Sequence, residues 1–219
     1  MVTASANQTV PTPTEPPGRL RWWVLKHILE RKLPRQEVLE RMPPQSVGAE
    51  IGVWMGDFSA LMLRVVRPRV LHLIDPWKYE SAAAYAPSFY GGQAGSQANM
   101  DAIHDLVRQR FSRQIAAGGV RMHRSSSADT AATFPDAYFD WVYIDGNHQY
   151  EFVKRDLESF YPKVKPGGLI AGDDYGNRGW WEDGVTRAVN EFILGGLCEV
   201  ELIEHNQFIL RKKEQAPRT

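Results

Sequence analysis

The sequence predicts a Rossmann-like α/β domain, a seven-stranded and mostly parallel sheet with helices on both faces and a C-terminal antiparallel β-hairpin. Two observations carry this. From Val47 onward, short apolar runs alternate with segments of helical period, the pattern of parallel strands joined by crossover helices. The chain then closes on two β-rich runs around a polar triplet, which reads as a hairpin.

VGAEIGV (47–53) is the first strand, and Phe58, Leu61, Met62 and Val65 fall at helical spacing behind it. VLHLID (70–75) is the second strand. Ile103, Val107, Phe111 and Ile115 form the stripe of the next helix, closed by Gly118 and Gly119. VRMH (120–123) is a short third strand. FDWVYID (139–145) is the fourth, apolar almost throughout as a strand covered on both faces should be. Val153, Leu157 and Phe160 mark a helix ended by Pro162 and Pro166. GGLIAGDD (167–174) is the fifth strand, and Val185, Val189, Phe192 and Ile193 mark a helix ended at Gly195 and Gly196. CEVELI and QFILR flank Glu204, His205 and Asn206 as the hairpin.

The segments outside this rhythm divide the chain. Residues 1–18, rich in Pro, Thr and Ser, read as a disordered leader, and 213–219 as a flexible tail. Residues 19–44 form a helical arm ahead of a domain spanning 45–212. Within the arm, LRWWVLKHILERKL (20–33) is basic and aromatic. It reads as a helix docked on the core or on a second subunit, a route to a homo-oligomer, in preference to a membrane-surface helix. Residues 78–99 lack any period and exceed an ordinary connection, so they read either as a lid over a site or as a surface loop.

Composition narrows the function classes. Lys+Arg and Asp+Glu balance at 26 each, which argues against nucleic acid as the main partner. No apolar run approaches the roughly 20 residues of a membrane span. With a single cysteine, Cys198, a reducing cytoplasmic setting is expected.

Ligands of an open parallel sheet bind beyond the carboxyl ends of its strands, where strand order reverses. Gly52 and Gly56 follow the first strand, where glycine lets a ligand approach backbone closely. Asp75 ends the second strand 19 residues after Gly56, suited to ribose hydroxyls. The pattern E-x-G-x-x-x-G differs from the G-x-G-x-x-G that cradles a pyrophosphate, so the expected cofactor is a nucleoside without phosphates. Tyr150 and Lys154 reproduce the Tyr-x-x-x-Lys spacing of short-chain dehydrogenases, but without their glycine turn they read as ordinary helix positions. The fourth and fifth strands end in Asp145 and in Asp173–Asp174, acids that would repel one another unless protonated or neutralised by a cation. Oxygen ligands suit Mg²⁺, with Mn²⁺ or Ca²⁺ as alternatives. Adjacent strand residues point to opposite faces, so Asp145 with one of the pair is the firmer ligand set unless the strand ends there. His148, three residues past Asp145, reads as a general base or as a bystander, imidazole being the side chain that ordinarily titrates near neutral pH.

These blocks resemble a known group. E-I-G-x-x-x-G-x-F-S at 50–59, L-I-D-P-W at 73–77, F-D-x-V-x-I-D-G-x-H-x-Y-x-x-V-x-x-D-L at 139–157 and K-P-G-G-L-I-A-G-D-D-Y at 165–175 are similar to class I methyltransferases of the family often called methyltransferase domain 24. The resemblance implies S-adenosylmethionine over Glu50, Gly52 and Ser59, with Asp75 on its ribose. It implies Mg²⁺ at Asp145, Asp173 and Asp174, and His148 as base in the sugar-modifying members. Where such proteins carry an acid near the adenine after strand three, this chain has Arg124-Ser125-Ser126-Ser127, leaving Ser126 or Ser127 for that contact. The function expected is transfer of a methyl group to a hydroxyl of a small-molecule or oligosaccharide acceptor, a sugar or glycoside. A catechol-type O-methyltransferase and a nucleotide-dependent oxidoreductase are the alternatives.

Overall fold

The computed structural model describes residues 35–214. The leader, most of the tail and the expected helix at 20–33 lie outside the described residues. Seven strands, β1 (Val47–Ile51), β2 (Val70–Ile74), β3 (Val120–His123), β4 (Phe139–Ile144), β5 (Val164–Gly172), β6 (Cys198–Glu204) and β7 (Gln207–Lys212), form one sheet in the order β3-β2-β1-β4-β5-β7-β6. The first five run parallel, and β7 pairs antiparallel with β5 and β6. The reversal of order lies between β1 and β4. Besides the helical turn at 35–40, six helices accompany the strands among the described residues: α1 (Asp57–Val65), α2 (Gln97–Arg110), α3 (Ser112–Ala116), α4 (Ser127–Ala132), α5 (Tyr150–Phe160) and α6 (Gly184–Leu194).

Strand residues alternate between two cores, as a doubly covered sheet requires. Trp141, Tyr143, Leu71, Leu73 and Leu169 pack with Phe58, Met62, Val107 and Phe111 on one face, joined by Val38, Leu39 and Met42 from the turn of helix at 35–40. Val47, Ile51, Val142, Ile144 and Ile170 pack with Val153, Leu157, Phe160, Val185 and Val189 on the other. Among the described residues no helix is long and apolar enough to cross a membrane.

The sequence stripe from Ile103 to Ile115 is broken at Phe111, which turns the chain between α2 and α3 while its own ring stays buried. β5 begins at Val164, earlier than its glycines suggest, and ends at Gly172, before Asp173 and Asp174. The hairpin turn is His205–Asn206, both with positive φ (50° and 62°), the geometry of the two-residue turns that match strand twist.

Residues 78–96 form a compact loop around a 3-10 turn at Ala83–Tyr85. The Tyr85 carbonyl accepts from Gly92 N (3.3 Å) and from the Ser88 hydroxyl (2.8 Å), Gly91 N and Gln93 N reach Ser88 O, and Glu80 N reaches Tyr90 O (2.9 Å). A Cβ at Gly91 would fall 1.9 Å from the Tyr85 carbonyl, so only glycine lets the two strands of the loop close.

Candidate active site at the carboxyl edge of the sheet

At the end of β1, Gly52 has φ 89°, and its N–H donates to Ile74 O (2.9 Å). A Cβ there would stand 2.2 Å from the Asp145 carbonyl, so the first turn passes directly against the end of β4. Gly56 precedes α1 in the left-handed region (φ 75°). Glu50 is buried on β1 and accepts the Ser59 hydroxyl from α1. Burial pushes its carboxyl well above the usual carboxylate range, although the Ser59 hydrogen bond opposes this.

Asp75 follows β2 and is fully buried. It accepts from Val53 N (2.8 Å), Trp54 N (3.0 Å), Trp77 N (2.7 Å) and the Tyr90 hydroxyl. Burial raises its carboxyl against those hydrogen bonds. Tyr90 comes from the loop, and its ring packs with Phe89 against Trp54, at 5.3 and 5.2 Å between centroids. The expected ribose ligand is thus held by a tyrosine from residues 78–96. Ser126 caps α4, accepting from Asp129 N (3.2 Å), and Ser127 donates to Asp156. Burial pushes Asp156 up to about 6 while the Ser127 hydrogen bond opposes it, so an acid from α5 reaches the segment after β3.

The acidic ends of β4 and β5 converge. Asp145 N donates to Ile51 O (2.8 Å) and Asp173 N to Ile144 O (3.2 Å), which fixes both chain ends against their neighbours. Asp174 lies in the left-handed region (φ 61°), so the strict alternation of a strand no longer applies to the pair. His148 Nε2 lies 3.4 Å from Asp145 Oδ1 and 3.3 Å from Asp174 Oδ2, and it is buried without a hydrogen bond of good geometry. Ligand atoms of Asp145, His148 and Asp174 all fall within 4.8 Å of one another. Asp173 turns away from that group. Its Oδ2 receives the Arg35 guanidinium and its Oδ1 the Gln207 amide, and Gln207 in turn accepts from Tyr143. Of the expected set Asp145, Asp173 and Asp174, the structure brings Asp145 and Asp174 together with His148, while the Asp173 carboxylate meets Arg35 and Gln207.

Arg35 was not singled out by the sequence. Its guanidinium lies 4.7 Å above the Phe58 ring and 2.8 Å from Asp145 Oδ2. Burial disfavours its charge, but Asp145 foremost, with Asp174 and Glu50, more than offsets this and raises its proton affinity. Tyr85, also unforeseen, donates to Gln149 Oε1 (3.1 Å), accepts from Asn147 Nδ2 (2.9 Å) and meets the Trp180 ring at 5.3 Å. Trp181 packs on His148 at 4.8 Å. Trp180 and Trp181 thus flank the acidic group with flat apolar surface and polar edges. Tyr150 and Lys154 both pair with Glu191 on the outer surface of α5 and α6, away from any dehydrogenase role.

The profile of the family described as Methyltransferase domain matches residues 49–175. Protein R132 of Acanthamoeba polyphaga mimivirus is 39% identical over 149 residues, 66% of this chain. The match spans 58% of that relative's length. Among solved structures, the O-methyltransferase NovP is 21% identical, with a TM-score of 0.61 over 85% of this chain and 81% of its own. A Corynebacterium glutamicum protein is 13% identical with a TM-score of 0.59 over 94% of each chain. A Streptococcus mutans protein solved in complex with SAH is 11% identical, with a TM-score of 0.53 over 81% of this chain and 94% of its own. At these identities the solved structures share the fold.

Proposed function

Because this chain belongs to the Methyltransferase domain family, we propose that it moves the methyl group of S-adenosylmethionine to a hydroxyl of a sugar, glycoside or oligosaccharide, with a divalent cation at Asp145 and Asp174 and His148 as general base. The observation that carries this reading is the buried His148 Nε2, wedged without a hydrogen bond between the Asp145 and Asp174 carboxylates at the point where strand order reverses. An orphaned imidazole nitrogen facing two acids is a costly arrangement unless a cation or a substrate proton completes it. The two carboxylates offer oxygen donors that fit Mg²⁺ or Mn²⁺, which leaves the Nε2 lone pair of His148 for a substrate proton.

When bound, S-adenosylmethionine supplies an electrophilic methyl, and the cation supplies the charge that lowers a hydroxyl's pKa. The residues of this chain do the rest. Gly52 and Gly56 let the turn after β1 close on Asp145 and on Phe111, which shapes the edge where the donor would lie, and Asp75 offers its carboxylate to ribose hydroxyls once Tyr90 withdraws. Asp145 and Asp174 would hold the cation, which would supply the charge that acidifies an acceptor hydroxyl. His148 Nε2 takes the proton of an acceptor hydroxyl, and Trp181, packed at a tilt against its ring, helps to hold the imidazole in place. Tyr85 joins Asn147 and Trp180 next to this group. An aromatic ring with polar edges suits the apolar face and hydroxyl rim of a sugar, which favours glycoside acceptors over phenolic diols.

The deciding experiment measures turnover of S-adenosylmethionine with glycoside and catechol panels, with and without a chelator. Metal-dependent methylation of a glycoside is expected. Methylation of catechols alone would overturn the acceptor, and chelator-resistant turnover would remove the cation. Heat stabilisation by NAD(H) in place of S-adenosylhomocysteine would overturn the cofactor.

A further inference from the structure

We propose that the Trp181 indole N–H is a catalytic hydrogen-bond donor to the acceptor oxygen, the counterpart of His148, and that the two together select oxygen over nitrogen nucleophiles. The inference rests on the methyl-transfer reading above and deepens it by assigning a residue and the class of reacting atom.

Three observations carry it. First, two buried side-chain nitrogens on neighbouring rings, His148 Nε2 and Trp181 Nε1, have no hydrogen-bond partner. The ring centroids lie 4.8 Å apart. An orphaned buried donor is costly, and an indole N–H can only donate. Second, one glycine ties both residues together. Gly184 N donates to Trp181 O (3.1 Å), and a Cβ on Gly184 would fall 2.5 Å from His148 O, so the turn before α6 closes directly on the loop after β4. Third, the indole is fixed by its other edge. A Cβ at Gly179 would meet carbons of the six-membered ring of Trp181 at 2.6 Å, whereas Nε1 belongs to the five-membered ring. The fold therefore places this N–H and leaves it without an acceptor.

The two orphans are of opposite sense. As a neutral base His148 offers a lone pair at Nε2, and Trp181 offers a hydrogen. A hydroxyl satisfies both at one atom, with one O–H to donate and two lone pairs. In the transfer the oxygen gives its proton to His148 Nε2 and one lone pair to the new C–O bond. The S–C bond breaks with its electron pair left on sulfur. The other lone pair stays on the Trp181 N–H, which stabilises the charge that develops as the proton leaves. A neutral amine has a single lone pair, so an amine held against Trp181 has none left to attack. A thiol sulfur accepts only weakly.

The test uses the full chain and the compound of the glycoside and catechol panels that wild type methylates fastest, together with its analogue carrying –NH2 in place of the methylated hydroxyl. The seven tryptophans give seven indole N–H signals in an isotope-labelled sample, and the one missing from Trp181→Phe belongs to Trp181. With S-adenosylhomocysteine bound, adding the hydroxyl compound should move that signal downfield. Trp181→Phe keeps a ring beside His148 and removes the donor. It should lower kcat/KM for the hydroxyl compound about 10–100-fold and its preference over the amine about tenfold, with S-adenosylhomocysteine affinity within about twofold of wild type. A Trp181 signal unmoved by the hydroxyl compound, or a Trp181→Phe enzyme with the wild-type preference, overturns the role of Trp181 and leaves methyl transfer standing. Failure of wild type to methylate any compound of either panel overturns both.

Discussion

Replacing Gly52 by alanine tests how the first turn and the end of β4 are built around each other. Two costs add. The residue sits at φ 89°, where an L side chain loses roughly 1–2 kcal/mol. The new Cβ would also meet Asp145 O at 2.2 Å and Gly146 Cα at 2.6 Å, both backbone atoms that cannot rotate aside. Overpacking of that kind costs about 1–3 kcal/mol. The total is about 2–5 kcal/mol, roughly a 5–15 °C fall in Tm for a domain of this size. Gly118 supplies the control, since its φ is 76° and nothing lies within 4 Å of the Cβ it would carry. Gly118→Ala should therefore lose about 1 kcal/mol, from backbone strain alone. Urea unfolding of both variants measures the difference, and calorimetry with S-adenosylhomocysteine reads the site. Gly52→Ala should bind the ligand far more weakly, because Asp145 moves with its carbonyl. Equal stability of the two variants, with ligand affinity intact, would refute the close approach.

Three further outcomes are expected. His148→Ala should lower the methyl-transfer rate about 10²–10⁴-fold with little change in S-adenosylhomocysteine affinity, and a wild-type rate in a radiolabel assay would remove it as base. Tyr90→Phe should strengthen S-adenosylhomocysteine binding about tenfold by freeing one acceptor on Asp75, and unchanged or weaker binding by calorimetry would exclude competition at that carboxylate. His72 is buried beside His123, and burial foremost, then the neighbouring His123, lowers its pKa from 6.5 to about 3. A base held neutral in the fold binds fewer protons than in the unfolded chain, so this contribution is present above pH 6.5 and is lost as pH falls toward 3. His72→Gln should flatten the decline of urea midpoint between pH 7 and pH 4 relative to wild type, and an unaltered slope would assign the decline to other groups.

The architecture was legible because β1, β2, β4 and β5 are nearly all apolar and their acids and glycines stand at one end. What escaped has physical reasons. SADTAA of α4 carries no apolar stripe, so six helical residues leave no periodic signal. The stripe of α2 and α3 continues across Phe111 because both helices bury the same side, and periodicity cannot register the break. Whether Asp173 and Asp174 can share a site depends on where β5 ends and on a left-handed φ at Asp174, neither written in residue type. Arg35 reaches Asp145 across 110 positions of sequence, and only the fold brings them together. Tyr85 and Tyr90 lie in a segment that admitted two readings because it has no period and exceeds an ordinary connection, so nothing marked its aromatic residues. The structure lays it across the carboxyl edge of the sheet.

That loop has a mechanical consequence. Its own hydrogen bonds tie Tyr85 to Ser88 and Gly92 and Tyr90 to Glu80, so any displacement would carry both tyrosines together. One end of the loop grips Asp75 and the other grips Asn147 and Gln149. Under the proposed function these are the donor and acceptor berths, so a single hinge serves both. Exchange of spent cofactor and release of methylated product then become one gated event, and a viscogen that slows the hinge would slow both together.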